Sequence, residues 1–340
     1  MKAARFWRAE ENGAVTCELC PHACRIPEGG RSRCFGRVNR AGMLMAETWG
    51  RPVAMGVDPI EKKPLHHFLP GSEVLSLGTR GCNLACRFCQ NWELSHPAVA
   101  RAIESPPEVS PEKVAQAAAQ RGIPAVAATY NEPAVWAEYA LDIADACHAQ
   151  GVRMVAVTSG YFSPQTRAEF FKKMDAANVD LKSFRDDFYR RQCGARLAPV
   201  LETLETIRRE TACWLEVTTL LIPGLNDSEA EIDELTAWVA AHLGEDTPLH
   251  FSAFHPDGEL TNVPPTPAET LARAREQARK NGLRHVYAGN VRGRPDWTAT
   301  FCAGCGARLV EREGFAAKKV GMDGEGRCRV CARPCAGIWR

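Results

Sequence analysis

Three cysteines in one short loop are the residues best suited to chemistry in this chain. Cys82, Cys86 and Cys89 have C-x3-C-x2-C spacing and follow closely on a predicted buried strand, Val74–Thr79. Three thiolates this close together can bind three irons of a [4Fe–4S] cluster, which leaves the fourth iron without a protein ligand. Catalytic metal sites keep such an open position, whereas structural sites are closed. The spacing therefore predicts a cluster that takes part in chemistry.

The same cysteines allow two other interpretations. A structural zinc ion bound by the three thiolates would need His96 or His67 as its fourth ligand. A hypothesis of a different class keeps the cluster but assigns no enzymatic activity, so that the protein would be an iron–sulfur redox sensor or a scaffold in a multi-protein complex.

Alternating strands and helices must position this loop. The predicted strand Ala125–Tyr130, for example, is followed by the predicted helix Pro133–Gln150, and the pattern repeats toward residue 288. Such alternation indicates parallel strands with right-handed crossovers. In α/β barrels the catalytic groups lie at the carboxyl ends of the strands. The residues that follow each predicted strand are therefore candidate site residues.

The predicted fold class is α/β, with a partial parallel (β/α)6 barrel at residues 71–297. It is flanked by a Cys-rich N-terminal segment, residues 1–70, and a zinc-ribbon-like C-terminal segment, residues 298–340. Both flanking segments have few periodic apolar patterns. Segments this small rarely bury enough apolar surface to fold alone, so we expect bound metal to hold them together.

The central loop resembles the radical S-adenosylmethionine (SAM) superfamily, whose signature is C-x3-C-x-aromatic-C, and Phe88 fills the aromatic position. The resemblance implies that SAM chelates the open iron through its amino and carboxylate groups. An electron from the reduced cluster then cleaves SAM to methionine and a 5′-deoxyadenosyl radical, which abstracts hydrogen from the substrate. It also implies a low-potential electron donor, flavodoxin or ferredoxin, and a protein, peptide or small-molecule substrate.

The resemblance assigns SAM contacts to polar residues at the predicted strand ends. The cofactor-binding residues expected are Phe88, Asn131, Glu132, Ser159, Asp180, Lys182 and His255. The carboxylate of Glu132 matches an ammonium group, and Asp180 and Lys182 point to the same face of a strand. The structural alternatives are an acid at a helix start for Glu132, a buried ion pair for Asp180 and Lys182, and a turn cap for His255. A redox sensor would need none of these SAM contacts.

A narrower resemblance is to the radical SAM component of the AmmeMemoRadiSam system, which is similar to pyruvate formate-lyase activating enzymes. It rests on Cys17–Cys24 (CELCPHAC), on Gly81–Asn91 and on Tyr130–Pro133. It implies Memo-type and AMMECR-type proteins as partners. The activating enzymes carry an acid at the position of Val157, beside a cation site, so no cation is expected here.

Two groups of four cysteines flank the barrel. The N-terminal set is Cys17, Cys20, Cys24 and Cys34, and the C-terminal set is Cys302, Cys305, Cys328 and Cys331. Four thiolates form a closed set, as in structural zinc or a complete iron–sulfur cluster. We predict zinc for the C-terminal set. For the N-terminal set zinc and an auxiliary iron–sulfur cluster both stay open, with His22 as an alternative ligand, and Cys335 is spare.

Composition limits the remaining classes. The chain has 340 residues, of which 15 are cysteine, with 45% hydrophobic and 24% charged residues and a net charge of +1. This composition is typical of a globular protein, and no apolar run reaches the roughly 20 residues of a membrane helix. The charged start lacks a signal-peptide core, so we expect a cytoplasmic protein. The balanced charge argues against nucleic acid, although basic residues in the C-terminal segment keep a tRNA-modifying enzyme as an alternative.

Overall fold

The computed structural model describes residues 1–96, 102–104 and 106–340. Six short strands form two small antiparallel sheets near the N-terminus, namely β1 (Lys2–Ala3), β2 (Trp7–Ala9), β3 (Val15–Cys17), β4 (Arg25–Ile26), β5 (Arg37–Arg40) and β6 (Met43–Ala46). The central sheet contains β7 (Ala54–Pro59), β8 (Glu73–Gly78), β9 (Ala125–Ala128), β10 (Arg153–Thr158), β11 (Ala176–Asp180), β12 (Trp214–Leu221), β13 (Leu249–Ala253) and β14 (Val286–Gly289). A third antiparallel sheet contains β15 (Thr300–Phe301), β16 (Arg308–Glu313) and β17 (Ala316–Lys319).

The central sheet follows chain order from β14 to β7. Strands β8 to β14 are parallel, as the alternation predicts, and β7 runs antiparallel to β8. In the described part of the chain β7 and β14 are the two edges and do not pair, so the barrel is open. The α/β prediction is confirmed. The sheet also extends into the predicted N-terminal segment, because β7 lies within residues 1–70. The strand–helix pattern did not predict β7, since no crossover helix joins it to β8.

Helices cover the outer face of the sheet. The helices of eight or more residues are Pro111–Gln120, Ala137–His148, Pro164–Phe171, Ala198–Glu210, Glu229–Leu243 and Ala268–Lys280. The first begins as its sequence indicates, since the Ser110 hydroxyl accepts from the Lys113 amide and Pro111 occupies the first turn. Among the described residues, no helix combines the length and the apolar character needed to span a bilayer.

The N-terminal module, residues 1–46, packs against the carboxyl ends of the parallel strands. Arg37 donates two hydrogen bonds of 2.7 Å to Glu138, and both side chains are fully buried. Gly81 lies so close to the module that a Cβ there would be 2.0 Å from the carbonyl oxygen of Cys34. With φ of +85°, this position also favours glycine. The N-terminal set therefore lies beside the start of the cysteine loop.

The C-terminal ribbon, residues 300–331, packs at the amino ends of the strands. The Arg312 guanidinium is buried there and donates to the carbonyl oxygen of His66 at 2.6 Å and to the Thr300 hydroxyl at 2.9 Å. Beyond the ribbon, Phe68 and Ile338 form a parallel bridge. The two cysteine-rich modules therefore lie at opposite ends of one sheet.

Candidate functional site

The cluster loop, Gly81–Trp92, follows β8 and is held at several backbone positions. The Gly81 amide donates to the carbonyl oxygen of Leu94 at 2.8 Å. The Ala85 and Arg87 amides donate to the carbonyl oxygens of Cys193 and Gln192, at 2.8 and 2.9 Å. These two acceptors lie in a short π-helix, Tyr189–Cys193. The protein backbone therefore holds the loop at three of its amides.

The thiols of Cys82, Cys86 and Cys89 are less closely grouped than those of the C-terminal set. Among the described residues, their sulfurs do not converge within 4.8 Å of one another as the sulfurs of the C-terminal set do. A cubane cluster binds each thiolate at a different iron, so its ligands lie farther apart than those of one zinc ion. Hydrogen bonds already support a ligand role, since the Leu84 amide donates to the Cys82 sulfur at 3.4 Å.

The zinc alternative completed by His67 is wrong for a geometric reason. The Nε2 of His67 is 2.6 Å from the Tyr287 hydroxyl, and its Nδ1 is 2.6 Å from the carbonyl oxygen of Ala336. These contacts fix the ring at the amino end of the sheet. His96 lies nearer the cluster loop, where its Nε2 is 3.8 Å from a carboxylate oxygen of Glu259.

Cys193 is a site residue that the sequence did not reveal. Its position in the chain, far from the cysteine pattern, gives no signal. In the fold a hydrogen bond from Cys193 holds the pKa of Cys86 below its ordinary value, while burial keeps the pKa of Cys193 well above its own. Cys193 therefore lies next to Cys86, although it comes from a distant part of the chain.

Glu132 is at the end of β9, as predicted, but its carboxylate is already saturated. Its Oε2 accepts from both the amide and the hydroxyl of Ser159 at 2.7 Å, and its Oε1 accepts from the Thr158 hydroxyl at 2.5 Å and the Ala134 amide at 3.2 Å. Burial raises the pKa of Glu132 although these donors oppose the shift. The carboxylate therefore fixes the end of β10, including Ser159, beside the cluster loop.

Asn131 joins two strand ends to the cluster loop. Its Nδ2 donates to the Gly81 carbonyl oxygen at 2.8 Å and to the Thr79 hydroxyl at 3.2 Å. Its Oδ1 accepts from the Thr79 amide at 3.0 Å and the Trp136 indole at 3.1 Å. All four hydrogen-bonding positions of this amide are used within the chain, so Asn131 positions the start of the loop.

Asp180 and Lys182 form an ion pair beside the thiols. Nζ of Lys182 is 2.8 Å from Oδ2 of Asp180 and 5.8 Å from the centre of the Phe88 ring. Burial lowers the pKa of Lys182, but Asp180 and the thiolate charge at Cys86 outweigh it and raise the pKa well above its ordinary value. A permanent positive charge thus lies next to the predicted cluster.

His255 lies at the exposed rim of the same region. Its Nε2 is 3.1 Å from the side-chain nitrogen of Gln90, at the end of the cysteine motif. Gly258 approaches the cluster loop closely, since a Cβ there would be 2.7 Å from the carbonyl oxygen of Arg87. The segment after β13 therefore packs on the cluster loop, and the predicted SAM residues share one end of the sheet.

The two flanking cysteine sets differ in geometry. In the C-terminal set Cys302 and Cys331 have their sulfurs 3.5 Å apart, and Cys305 and Cys328 have theirs 3.6 Å apart. Although burial opposes it, backbone amides of Cys305 and Gly304 lower the pKa of Cys302 to about 7. These four residues could bind a metal ion. Within the described residues, the sulfurs of the N-terminal set do not converge in this way.

Comparison with known proteins agrees with this geometry. The radical SAM superfamily profile matches residues 76–236. An uncharacterized protein, MJ0808, from Methanocaldococcus jannaschii is 40% identical over 338 residues, which cover 97% of this chain and 98% of that protein. The benzylsuccinate synthase activating enzyme of Thauera aromatica is 27% identical over 176 residues, which cover 47% of this chain and 53% of that enzyme.

Solved structures share the fold. SuiB from Streptococcus suis bound to S-adenosylmethionine superposes with a TM-score of 0.51 at 14% identity, covering 72% of this chain and 56% of that chain. A radical SAM methyltransferase from Sphaerobacter thermophilus gives 0.50 at 18% identity, covering 71% of each chain. The chain therefore contains a radical SAM domain, matched over residues 76–236, with homology to the activating enzymes of glycyl-radical enzymes, and it is an enzyme.

Proposed function

We propose that the protein acts on a protein or peptide substrate, in the manner of a glycyl-radical activating enzyme. When bound, the [4Fe–4S] cluster supplies the electron that cleaves SAM to methionine and a 5′-deoxyadenosyl radical, which abstracts a hydrogen atom. Cys82, Cys86 and Cys89 would hold the cluster. The observation that supports the substrate class is the open barrel, whose edge strands β7 and β14 do not pair in the described chain. We expect a partner larger than a metabolite to reach the site through this opening.

The residues at the strand ends have separable roles in this proposal. Lys182 places a positive charge beside the thiolates, and Asp180 orients it through the 2.8 Å ion pair. Glu132 holds Ser159 toward SAM instead of binding the ammonium group by itself, since its oxygens are occupied. The ring of Phe88 lies next to the same lysine, with its centre 5.8 Å from Nζ of Lys182. His255 is at the rim, where SAM or substrate would contact it.

The flanking sets are proposed to hold different metals. For the C-terminal set we propose zinc, because tetrahedral Zn–S bonds of 2.3 Å place sulfurs about 3.8 Å apart, close to the 3.5 and 3.6 Å found. For the N-terminal set the wider spacing supports an auxiliary iron–sulfur cluster over zinc. Cys24→Ala is expected to lower the iron content by about four atoms per chain without changing zinc, and a loss of zinc instead would contradict this assignment.

The remaining proposals concern partners and location. We propose flavodoxin or ferredoxin as the electron donor and Memo-type and AMMECR-type proteins as partners, on the sequence resemblance alone. We also propose a cytoplasmic location, because cysteines grouped at metal-binding spacings fit a reducing compartment.

SAM cleavage tests the chemistry. The protein is reconstituted anaerobically with iron and sulfide, reduced with dithionite and mixed with SAM. We expect 5′-deoxyadenosine from the native chain and none above background from Cys86→Ala, while Cys147→Ala, which changes a buried thiol outside all three cysteine groups, behaves as the native chain. Equal product from the native chain and Cys86→Ala would instead favour an iron–sulfur sensor or scaffold.

Hydrogen transfer tests the substrate class. An extract of the source cells grown in fully deuterated medium is divided by size, and each fraction is added to the reduced enzyme with SAM. Deuterated 5′-deoxyadenosine from the large fraction, abolished by protease, is the expected result. Deuterium from the small fraction would assign a metabolite, and loss of the signal on ribonuclease treatment would assign the tRNA alternative.

A further inference from the structure

A second group of metal-ligating side chains lies at the amino end of the sheet, away from the cluster loop. His67, His285 and Cys335 offer ligand atoms that all lie within 4.8 Å of one another. The two imidazole centroids are 4.5 Å apart, and the Cys335 sulfur is 4.0 Å from Nδ1 of His67. The three residues come from the segment before β8, the start of β14 and the tail after the ribbon. The fold therefore brings two nitrogens and one sulfur together from distant parts of the chain.

This group is separate from the ribbon cysteines. The four sulfurs of the C-terminal set converge on one another and form a complete tetrahedral set without Cys335. Cys335 follows that set in the chain, and its sulfur faces His67. The spare cysteine of the sequence thus has imidazole neighbours and is not a fifth ribbon ligand.

Burial favours the uncharged form of all three side chains, which are neutral imidazoles and a thiol. His67 is fully buried and His285 is 4% exposed. Burial lowers the pKa of His285 to about 4, so the imidazole is neutral and keeps a free lone pair at pH 7. Burial raises the pKa of Cys335 to about 12, so its thiol keeps a proton until a metal displaces it.

Hydrogen bonds around His67 can support a bound metal. Its Nε2 is 2.6 Å from the Tyr287 hydroxyl, which is 2.9 Å from the Thr300 hydroxyl. Its Nδ1, on the side of Cys335, is 2.6 Å from the Ala336 carbonyl oxygen and donates there when no metal is bound. A metal at Nδ1 replaces this hydrogen bond, so the Ala336 carbonyl has to turn away. The ring proton then moves to Nε2 and donates to Tyr287, which in turn donates to Thr300. Ligating histidines are typically oriented by such a second hydrogen bond.

A cavity of about 290 Å³ gives access to this group. His285, Cys335, Ala336 and Asp246 are among the residues that line it. Oδ1 of Asp246 is 3.9 Å from Nε2 of His285, and the side chain is about half exposed. The cavity side therefore offers both a carboxylate and room for water at a fourth ligand position.

We propose that His67, His285 and Cys335 bind one Zn²⁺ ion, distinct from the ribbon metal, with Asp246 or water as the fourth ligand. Two imidazoles and a thiolate in a tetrahedral arrangement suit zinc. The Cys335 thiol loses its proton on binding, because the thiolate is the metal ligand. The ion joins the segment before β8, strand β14 and the C-terminal tail.

Zinc and iron content of the full-length protein, measured by mass spectrometry on one sample, tests this site. Cys335→Ala and His285→Ala are each expected to lose one equivalent of zinc relative to the native chain and to keep the same iron. Cys147→Ala serves as the matched control and keeps all of its zinc. Equal zinc in the native chain and in Cys335→Ala overturns the proposal.

Two further measurements keep the proposal testable if those variants do not fold. Zinc X-ray absorption of the native protein is expected to show scattering from imidazole ligands. His22→Ala should keep this scattering, because His22 belongs to the N-terminal set. Zinc with sulfur ligands alone would overturn the proposal. Tyr287→Phe removes only the hydroxyl next to Nε2 of His67 and is expected to weaken one zinc ion about 10- to 100-fold against a chelator. Tyr139→Phe, which removes a buried tyrosine hydroxyl elsewhere, controls for the general effect of losing such a hydroxyl. Equal weakening of zinc binding in both variants would also overturn the site.

Discussion

The N-terminal module and the C-terminal ribbon both carry four cysteines and both attach to the barrel through a buried arginine. Arg37 of the module makes a two-point contact with a carboxylate, Glu138, whereas Arg312 of the ribbon donates mainly to carbonyl and hydroxyl oxygens, with Glu61 3.6 Å away. The module contacts the cluster loop through Gly81, and the ribbon packs at the other end of the sheet. Their sulfurs also differ, being contracted in the ribbon and spread in the module.

This difference shows that the number of cysteines alone does not determine which metal a set can bind. A single ion draws four sulfurs into a tetrahedron, while a cluster holds them farther apart. Position differs as well, since the N-terminal set lies beside Gly81 at the start of the cluster loop, whereas the ribbon set lies at the other end of the sheet. The following changes would break or sharpen the contrast.

Removing a ribbon ligand should have the largest effect. Cys305→Ala is expected to lose the ribbon zinc and to unfold residues 300–331, because structural zinc contributes on the order of 10 kcal/mol to domains of this kind. Hydrogen exchange of the full-length protein should show lost protection in β15 to β17 but unchanged protection in β9 to β12. Retained ribbon protection would mean that packing, and not metal, holds this module.

Breaking the buried ion pair should have the next largest effect. Glu138→Gln leaves Arg37 buried without a charged partner, and such changes cost about 3–5 kcal/mol. Thermal unfolding should start in the N-terminal module. The control is Glu234→Gln, which breaks an exposed pair with Arg185 and should cost less than about 1 kcal/mol. Similar losses in both variants would show that the module does not depend on Arg37.

Changing Glu132 should have a smaller effect that is local to the cluster end. In Glu132→Gln an amide group faces the donors of Ser159 and Thr158, and one unsatisfied buried group costs about 1–3 kcal/mol. We expect weaker SAM binding by calorimetry with unchanged iron content. Collapse of iron loading instead would show that Glu132 supports the cluster loop itself.

Removing the Cys193 thiol should have the smallest effect. Hydrogen bonds to cluster sulfurs set the reduction potential, so Cys193→Ala is expected to lower the potential of the cluster without changing iron content. Potentiometric titration followed by electron paramagnetic resonance measures the shift. Cys213→Ala, which removes another buried thiol, should leave the potential unchanged, and loss of iron in Cys193→Ala would make Cys193 a cluster ligand.

Much of the site could be predicted because its residues follow regular strands. Asp180 is the last residue of β11 and Lys182 follows it by two, and their 2.8 Å ion pair shows that the two side chains lie on the same side, as predicted. The roles of Asn131 and Glu132 were less accessible, since their hydrogen bonds reach Thr79, Gly81 and Ser159 on other strands. The sequence also did not predict strand β7, because an antiparallel edge strand is not preceded or followed by a crossover helix.

The sequence alone determined the superfamily, since the cysteine spacing and the strand–helix alternation are local patterns of short range. Only the tertiary structure decided which distant groups meet. In the fold Cys193 lies beside Cys86, and the two flanking sets differ in the spacing of their sulfurs. His67 lies next to His285 and Cys335 and not next to the cluster loop. Such contacts join residues far apart in the chain, and their distances depend on how strands and loops pack together.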